Sequence, residues 1–179
     1  MAKGLMEQNG TSNGGFFLDD FQNLKDHLKQ CAKEKTPALL IGVTFALLDF
    51  AEDHAFDLSK APIVMMETGG MKGRRKELIR NELHQILGEG FGVQKIHSEY
   101  GMTELLSQAY SFGKGIYQTP PWMKVLIRDI NDPFETLADN KTGGVNIIDL
   151  ANINSCAFIS SQDLGKKNNG STFEILGRF

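Results

Sequence analysis

The residue types that could do chemistry are densest in one short segment of this 179-residue chain, Ser98 to Glu104. The segment supplies hydroxyls, an aromatic ring, a glycine and two carboxylates, and it follows an apolar, strand-like run. At the start of a helix its amides and Thr103 would meet a phosphate, Glu104 would hold Mg²⁺, and Tyr100 would offer a flat face to a base. A capped strand-to-helix turn, with Thr103 as the cap, explains the same pattern without a ligand. The residues alone leave both interpretations open.

A second candidate is the loop Glu67 to Gly73, in which Gly69 and Gly70 allow a ligand to approach the backbone closely. A tight turn also explains two adjacent glycines and is favoured on the residues alone. Basic residues surround the end of this loop: Lys72, Arg74, Arg75, Lys76 and Arg80. Cations in the first turn of a helix oppose its dipole by about 0.3–1 kcal/mol each. A phosphate or an acidic partner would compensate them, although a solvated basic face is the simpler explanation.

A third candidate is Asp163, which follows a predicted strand and enters a turn. A carboxylate there accepts hydrogen bonds from both hydroxyls of a ribose, and an Asx-turn before a hairpin is the common alternative. Arg178 is expected at a solvated chain end. The four histidines show no metal-ligand spacing, and the sequence contains neither a Gly-x-Ser-x-Gly elbow nor a Walker-type phosphate loop.

Hydrophobic periodicity predicts the elements that position these residues. Asp19 and Asp20 open a segment with apolar residues at helical spacing. Apolar runs at 38–43 and 63–66 predict parallel strands buried on both faces, and Thr44 is predicted to cap the helix between them. The remaining predictions in this half are helices over 45–54, 74–87 and 104–110 and a strand over 93–97.

Strands that alternate with helices predict an α/β fold with a short parallel sheet and right-handed crossover helices. A β-rich, barrel-like or meander lobe follows, with strand-like runs at 122–128, 145–150, 156–159 and 173–176. We divide the chain into a flexible lead-in (1–13), an α/β nucleotide-site lobe (14–112) and the β-rich lobe (113–179). Ligands of parallel sheets lie at the carboxyl ends of the strands, where both glycine-bearing loops fall.

Composition excludes several function classes. A net charge of −3 and a pI near 5.8 argue against a nucleic-acid binder. The longest apolar stretch is too short and too interrupted to span a bilayer. Cys31 and Cys156 lie far apart in the sequence, so we expect free thiols in a reducing, cytoplasmic compartment, with Cys156 in the core.

Taken together and in this order, the segments resemble the adenylate-forming superfamily of acyl-CoA ligases, adenylation domains and luciferases. The run 100–104, Tyr-Gly-Met-Thr-Glu, matches the Tyr-Gly-x-Thr-Glu motif of that superfamily, and Gly69-Gly70 lies where its adenine loop does. The run 162–165 resembles the Thr-Gly-Asp-Leu-Gly motif with Gln in place of Gly, and 176–178 resembles the segment that leads to the interdomain hinge. The amino-acid sequences of segments 66–77, 97–107 and 120–125 most resemble those of acyl-protein synthetases of the LuxE type.

The resemblance implies a role for each matched residue. The implied nucleotide-binding residues are Gly69, Gly70, Tyr100, Gly101, Met102, Asp163 and Arg178. Tyr100 would pack against adenine, Asp163 would hold the ribose hydroxyls, and Arg178 would lie near the ribose. The implied catalytic residues are Thr103, which would contact the α-phosphate, and Glu104, which would ligate Mg²⁺. The implied reaction is the attack of a carboxylic acid on ATP, which gives acyl-AMP and pyrophosphate, followed by acyl transfer to a thiol.

Two departures from the family limit this expectation. The Ser/Thr/Gly-rich phosphate loop and the C-terminal domain with its catalytic lysine have no counterpart in the matched region. We therefore expect the C-terminal part of the large domain, which would not complete catalysis alone and would self-associate. The alternative is a non-catalytic module whose basic run docks a partner such as an acyl-CoA reductase.

Overall fold

The computed structural model describes residues 2–9, 14–70 and 78–179. The helices are α1 (Ala2–Asn9), α2 (Phe21–Glu34), α3 (Thr44–His54) and α4 (Arg80–Phe91), and a 3-10 turn covers Leu150–Asn152. The strands are β1 (Ala38–Val43), β2 (Ile63–Thr68), β3 (Ile96–Tyr100), β4 (Ala109–Ser111), β5 (Ile116–Gln118), β6 (Met123–Arg128), β7 (Thr142–Asp149), β8 (Phe158–Lys167) and β9 (Thr172–Arg178). They form one open sheet in the order β1-β2-β3-β4-β5-β9-β8-β7-β6. The predicted α/β class is confirmed.

The first three strands are parallel, and crossover helices connect them. The α2 helix forms as its pattern predicts: the Asp20 side chain accepts a hydrogen bond from the Asn23 amide, and Leu24, Leu28 and Cys31 are buried. Lys35 ends the helix in the left-handed conformation, and its amide bonds back to the last turn. These helices and the inner face of β1–β3 enclose one core cluster, which runs from Leu24 to Ile96 in the sequence.

The outer face of the parallel strands is less buried than predicted. Leu39 on β1 is 48% exposed and Val64 on β2 is 41% exposed. These two residues are register partners, so they lie side by side on the sheet face opposite the core. The expectation of strands buried on both faces is wrong within the described residues, because only the face of β1 and β2 that carries Leu40 and Met65 packs on the first core cluster.

The second half of the chain is antiparallel. Strands β6 to β9 form a meander, and β9 then pairs with β5, which joins the meander to the parallel half. A second core cluster lies here and runs from Tyr100 to Phe173 in the sequence. The meander alternative is therefore correct. The division between residues 112 and 113 stays a prediction. In the sequence, the first core cluster ends at Ile96 and the second begins at Tyr100.

Several predicted elements are wrong or shifted. A helix covers Ala2–Asn9 where a loose lead-in was expected. The helix predicted over 74–87 is found as Arg80–Phe91, passes through Gly88 and Gly90, and ends at Gly92 with φ of 66°. No helix forms over 104–110, because Ala109–Ser111 is a strand paired with β3. Residues 71–77, including Lys72, Arg74, Arg75 and Lys76, lie outside the described residues.

Three further residues differ from expectation. Thr44 is not a cap; it is the first residue of α3, its side chain is buried, and Val43 precedes it in extended conformation. Asp163 does not begin a turn, because β8 continues on both sides of it to Lys167. Cys156 is exposed rather than part of the core, and Cys31 is buried; both thiols are free.

Two neighbouring residues of α4, one facing the core and one facing solvent, provide a matched pair of substitutions. Leu87 is fully buried, whereas its neighbour Ile86 is 40% exposed. We expect Leu87→Ala to lower the free energy of unfolding by about 2–5 kcal/mol through lost apolar burial and a new cavity. Ile86→Ala is the control and should cost less than about 1 kcal/mol. Urea denaturation followed by circular dichroism measures both, and equal losses would contradict the observed phase.

Candidate functional site

The two glycine-bearing loops meet at the carboxyl ends of β2 and β3. Thr68 is the register partner of Glu99, so Gly69 and Tyr100 leave neighbouring parallel strands at the same height. The Thr68 hydroxyl donates a hydrogen bond to the Glu99 carboxylate across the two strands. The predicted proximity of the loops follows from this register.

The backbone of the first loop is fixed by the start of α3. Gly69 has φ of 71°, a conformation that favours glycine. The Thr44 hydroxyl lies 2.8 Å from the Gly69 carbonyl oxygen and donates to it. Gly70 is exposed, so the loop presents its backbone to solvent beside the strand ends.

Tyr100 is held inside the second core cluster. Its ring is 9% exposed and meets the rings of Tyr117 and Phe173 edge-on, with centroids 5.9 and 5.5 Å away. Its hydroxyl donates a 2.7 Å hydrogen bond to Asp163 Oδ2. Burial, and then this hydrogen bond, raise the pKa of Tyr100 well above its usual value of 10. The ring is thus oriented from its hydroxyl end, with little of its face open to solvent.

Asp163 connects Tyr100 to Arg178. Asp163 and Arg178 are register partners on β8 and β9, and Arg178 Nε lies 3.0 Å from Asp163 Oδ1. The side chain of Asp163 is 8% exposed and that of Arg178 is 77% exposed. The carboxylate is therefore anchored by a buried hydroxyl on one oxygen and covered by an exposed cation on the other.

The rest of the motif, residues 101–104, forms an irregular loop. A Cβ at Gly101 would meet the Glu99 carboxylate, the end of a flexible side chain that would have to shift to make room for it. Met102 packs against the second core cluster, whereas Thr103 and Glu104 are exposed. The Glu104 backbone carbonyl accepts a 2.7 Å hydrogen bond from the Asn152 side chain.

The donor set of this loop fits Mg²⁺ shared with phosphates. Among the described residues, no hydrogen bond or ion pair engages the exposed Glu104 carboxylate. In the same part of the chain, no cluster of three or more His, Cys, Asp or Glu side chains is arranged to hold a metal ion. Mg²⁺ typically takes one or two protein carboxylates and completes its shell with phosphates and water. A single exposed carboxylate such as that of Glu104 has this character.

The structure identifies an acidic residue that the sequence analysis did not single out as a candidate. Glu67 is 2% exposed and is the next-to-last residue of β2. Its Oε1 lies 3.5 Å from Arg80 Nε and 3.6 Å from His84 Nε2, and its Oε2 lies 3.3 Å from the Thr44 hydroxyl. A carboxylate at the end of an apolar strand run, followed by basic residues, was the available sequence signal. Asp149, which was expected only as a strand residue, is the second missed acid and has no exposed surface.

Known structures share this fold at low sequence identity. No protein-family model and no curated protein matches the sequence. ATP-bound MatB from Rhodopseudomonas palustris is 14% identical with a TM-score of 0.64, and the match covers 88% of this chain and 33% of that chain. Coronafacic acid ligase from Pectobacterium brasiliense is 21% identical with a TM-score of 0.58, over 89% of this chain and 32% of that one. A benzoate CoA ligase from Burkholderia xenovorans LB400 is 16% identical with a TM-score of 0.53, over 86% and 34%.

The chain has the fold of a segment of the adenylate-forming ligases. It spans about a third of the length of these structures. At 14–21% identity this likeness shows the fold alone, and the LuxE-type subgroup is not confirmed. Every helix in the described ranges is too short or too polar to cross a bilayer.

The three tyrosines of the chain provide a pH test of the site. Burial raises the pKa of Tyr117 to about 12, and burial followed by the charge of Glu99 raises that of Tyr110. With Tyr100 raised as well, all three stabilise the folded chain fully below pH 10, and this contribution is lost as the pH rises through the folded-state pKa values. Tyrosinate absorbance should show less ionisation at pH 10 in the folded protein than in denaturant, where all three groups titrate near pH 10. A folded-state tyrosine that titrates at its ordinary pKa would contradict the buried hydroxyls.

Proposed function

We propose that this chain forms the adenosine-facing wall of an acid-activating, ATP-dependent ligase site. The observation that carries the proposal is the hydrogen-bonded network in which Asp163, inside β8, joins Tyr100 at the end of β3 to Arg178 at the end of β9. These residues come from three strands and stand in the family order, and Gly69-Gly70 leaves the neighbouring strand. In this function Gly69-Gly70 lines the adenine, and Tyr100 contacts the base through the small part of its ring that is open to solvent.

The ribose site depends on the unequal exposure of the two partners of Asp163. Ribose hydroxyls would donate to the carboxylate on its exposed side, where Arg178 now lies. Because the Arg178 side chain is largely solvated, its displacement uncovers Asp163 without disturbing Tyr100. The buried hydrogen bond from Tyr100 then keeps the carboxylate oriented.

The reaction would take place beside Thr103 and Glu104. A carboxylate oxygen of the acid forms a bond to the α-phosphorus of ATP while the bond to pyrophosphate breaks, and the products are acyl-AMP and pyrophosphate. The Thr103 hydroxyl would donate to an α-phosphate oxygen, and Glu104 would hold the metal that neutralises phosphate charge. Preorganised groups of this kind act by positioning and electrostatics. Mg²⁺ would supply Lewis-acid charge stabilisation.

The finer assignments rest on the sequence resemblance. We propose transfer of the acyl group to a thiol, as in an acyl-protein synthetase, with a fatty or other carboxylic acid as substrate. Cytoplasmic location, an acyl-CoA reductase partner and self-association stay predictions. For the docking-module alternative, the one basic residue of the run that is described, Arg80, points inward to Glu67 rather than toward a partner.

Binding of AMP with Mg²⁺ to the isolated chain tests this function. Isothermal titration should detect AMP, and a ligand at 100 times its Kd should add about 2.7 kcal/mol to the free energy of unfolding. Asp163→Asn should weaken AMP binding at least about tenfold, because it removes the charge that orders the ribose hydroxyls. The control is Asp139→Asn, which breaks an exposed ion pair with Lys167 and should leave binding unchanged. The absence of AMP binding at millimolar concentration by a folded chain would overturn the proposal.

A further inference from the structure

Asp149 is a fully buried carboxylate at the end of β7. Its oxygens accept hydrogen bonds from the Leu106 amide (3.1 Å), the Ser107 amide (2.9 Å), the Ser107 hydroxyl (2.6 Å), the Ala151 amide (3.1 Å) and the Asn152 side chain (3.4 Å). No cation pairs with it among the described residues. Its charge is therefore stabilised entirely by neutral donors.

Most of these donors either follow Thr103 and Glu104 in the same irregular segment or bond to that segment. Leu106 and Ser107 follow that pair in the chain. Asn152, which donates to Asp149, also donates its side-chain amide to the Glu104 carbonyl oxygen. The loop is thus held from two directions by groups that converge on one carboxylate.

The loop needs such an acceptor because it forms neither helix nor strand. Backbone amides that are removed from water without a partner cost free energy, and an ionised acceptor satisfies several at once with short, charge-assisted bonds. Burial raises the pKa of Asp149, but the hydrogen bonds from Ser107, Ala151 and Leu106 outweigh it and leave the pKa below its usual 3.8. The carboxylate is ionised at neutral pH, as this role requires.

We propose that Asp149 is the positioning residue of the motif loop, and that it fixes the backbone of Glu104 through Asn152. This inference rests on the proposed function, in which Glu104 holds the metal beside the α-phosphate. Asp149 does not touch the nucleotide; it acts through the loop. Because Asn152 holds the backbone of Glu104 itself, the effect of Asp149 is larger on the Mg²⁺-dependent part of nucleotide binding than on the contact of Thr103 with the phosphate.

The chain contains a natural reporter of this arrangement. Its single tryptophan, Trp122, donates its indole N–H to the Ser107 hydroxyl at 2.9 Å, and that hydroxyl donates to Asp149. Trp122 is 53% exposed, so its emission responds to changes in the surrounding water. A loosened loop will change the indole environment even when no ligand is present.

The experiment compares Asp149→Asn and Asn152→Ala with a matched control. Asp129→Asn is the control, because Asp129 also accepts two backbone amides, at 2.7 and 3.1 Å, but in the exposed turn after β6. Without ligand, Asp149→Asn should shift Trp122 emission to longer wavelength and speed hydrogen exchange at 104–108, with α4 exchange unchanged. With AMP, both variants should lose the Mg²⁺-dependent gain in affinity by about tenfold or more, and the Mg²⁺-free AMP affinity, to which Thr103 contributes, should fall by a clearly smaller factor.

The outcomes separate the two proposals. A purely structural role would weaken AMP binding equally with and without Mg²⁺, and that result would overturn the inference, as would unchanged exchange at 104–108. If Asp149→Asn does not fold, Asn152→Ala decides, because it removes the side-chain bonds of Asn152 to Glu104, Asp149 and Ser155 but keeps the carboxylate and its bonds from Leu106, Ser107 and Ala151. If the wild-type chain binds no AMP, the proposed function fails, and the ligand-free exchange and emission still decide whether Asp149 orders the loop.

Discussion

The buried carboxylate of Glu67 is the constraint on which the two halves of the molecule depend. It sits at the end of β2 with Arg80 and His84 of α4 beside one oxygen. Breaking a buried ion pair by removing one partner typically costs about 3–5 kcal/mol, so the first turns of α4 are tied to this strand end. Arg80 also donates to the Ile175 carbonyl of β9 and lies 5.1 Å from the Tyr117 ring centroid. One guanidinium therefore joins the parallel strands to the antiparallel meander.

The same junction explains how distant parts of the sequence build one site. Tyr100 and Asp163 are 63 positions apart, yet the pairing of β9 with both β5 and β8 carries Asp163 back to the end of β3. The aromatic contacts of Tyr100 with Tyr117 and Phe173 fill the space between those strands. The contacts that pack the second core cluster are thus also the contacts that position Tyr100 in the site. A substitution in the second core cluster changes the orientation of the Tyr100 hydroxyl as well as stability.

Local patterns predicted the parts of the fold that local forces determine. The capped, amphipathic α2 and the apolar runs of β1 and β2 are of this kind. The segment 104–110 was predicted as a helix from its local pattern. The amides of Leu106 and Ser107 instead bond to Asp149, more than 40 positions away, and such tertiary bonds override local preferences. The membership of the candidate site came from motif order, whereas the Tyr100–Asp163 hydrogen bond and the buried Glu67 depend on long-range pairing that no window of sequence contains.

The contrast between a buried Asp163 and a solvated Arg178 also has a consequence for ionic strength. Dissolved salt screens an exposed ion pair strongly and a buried hydrogen bond very little. Added salt therefore loosens the guanidinium from the carboxylate while the Tyr100 hydroxyl stays in place. The fraction of molecules in which this oxygen of Asp163 is free of Arg178 then depends on the salt concentration. Asp163 is thus a binding group whose availability is set by the dissolved ions as well as by the ligand.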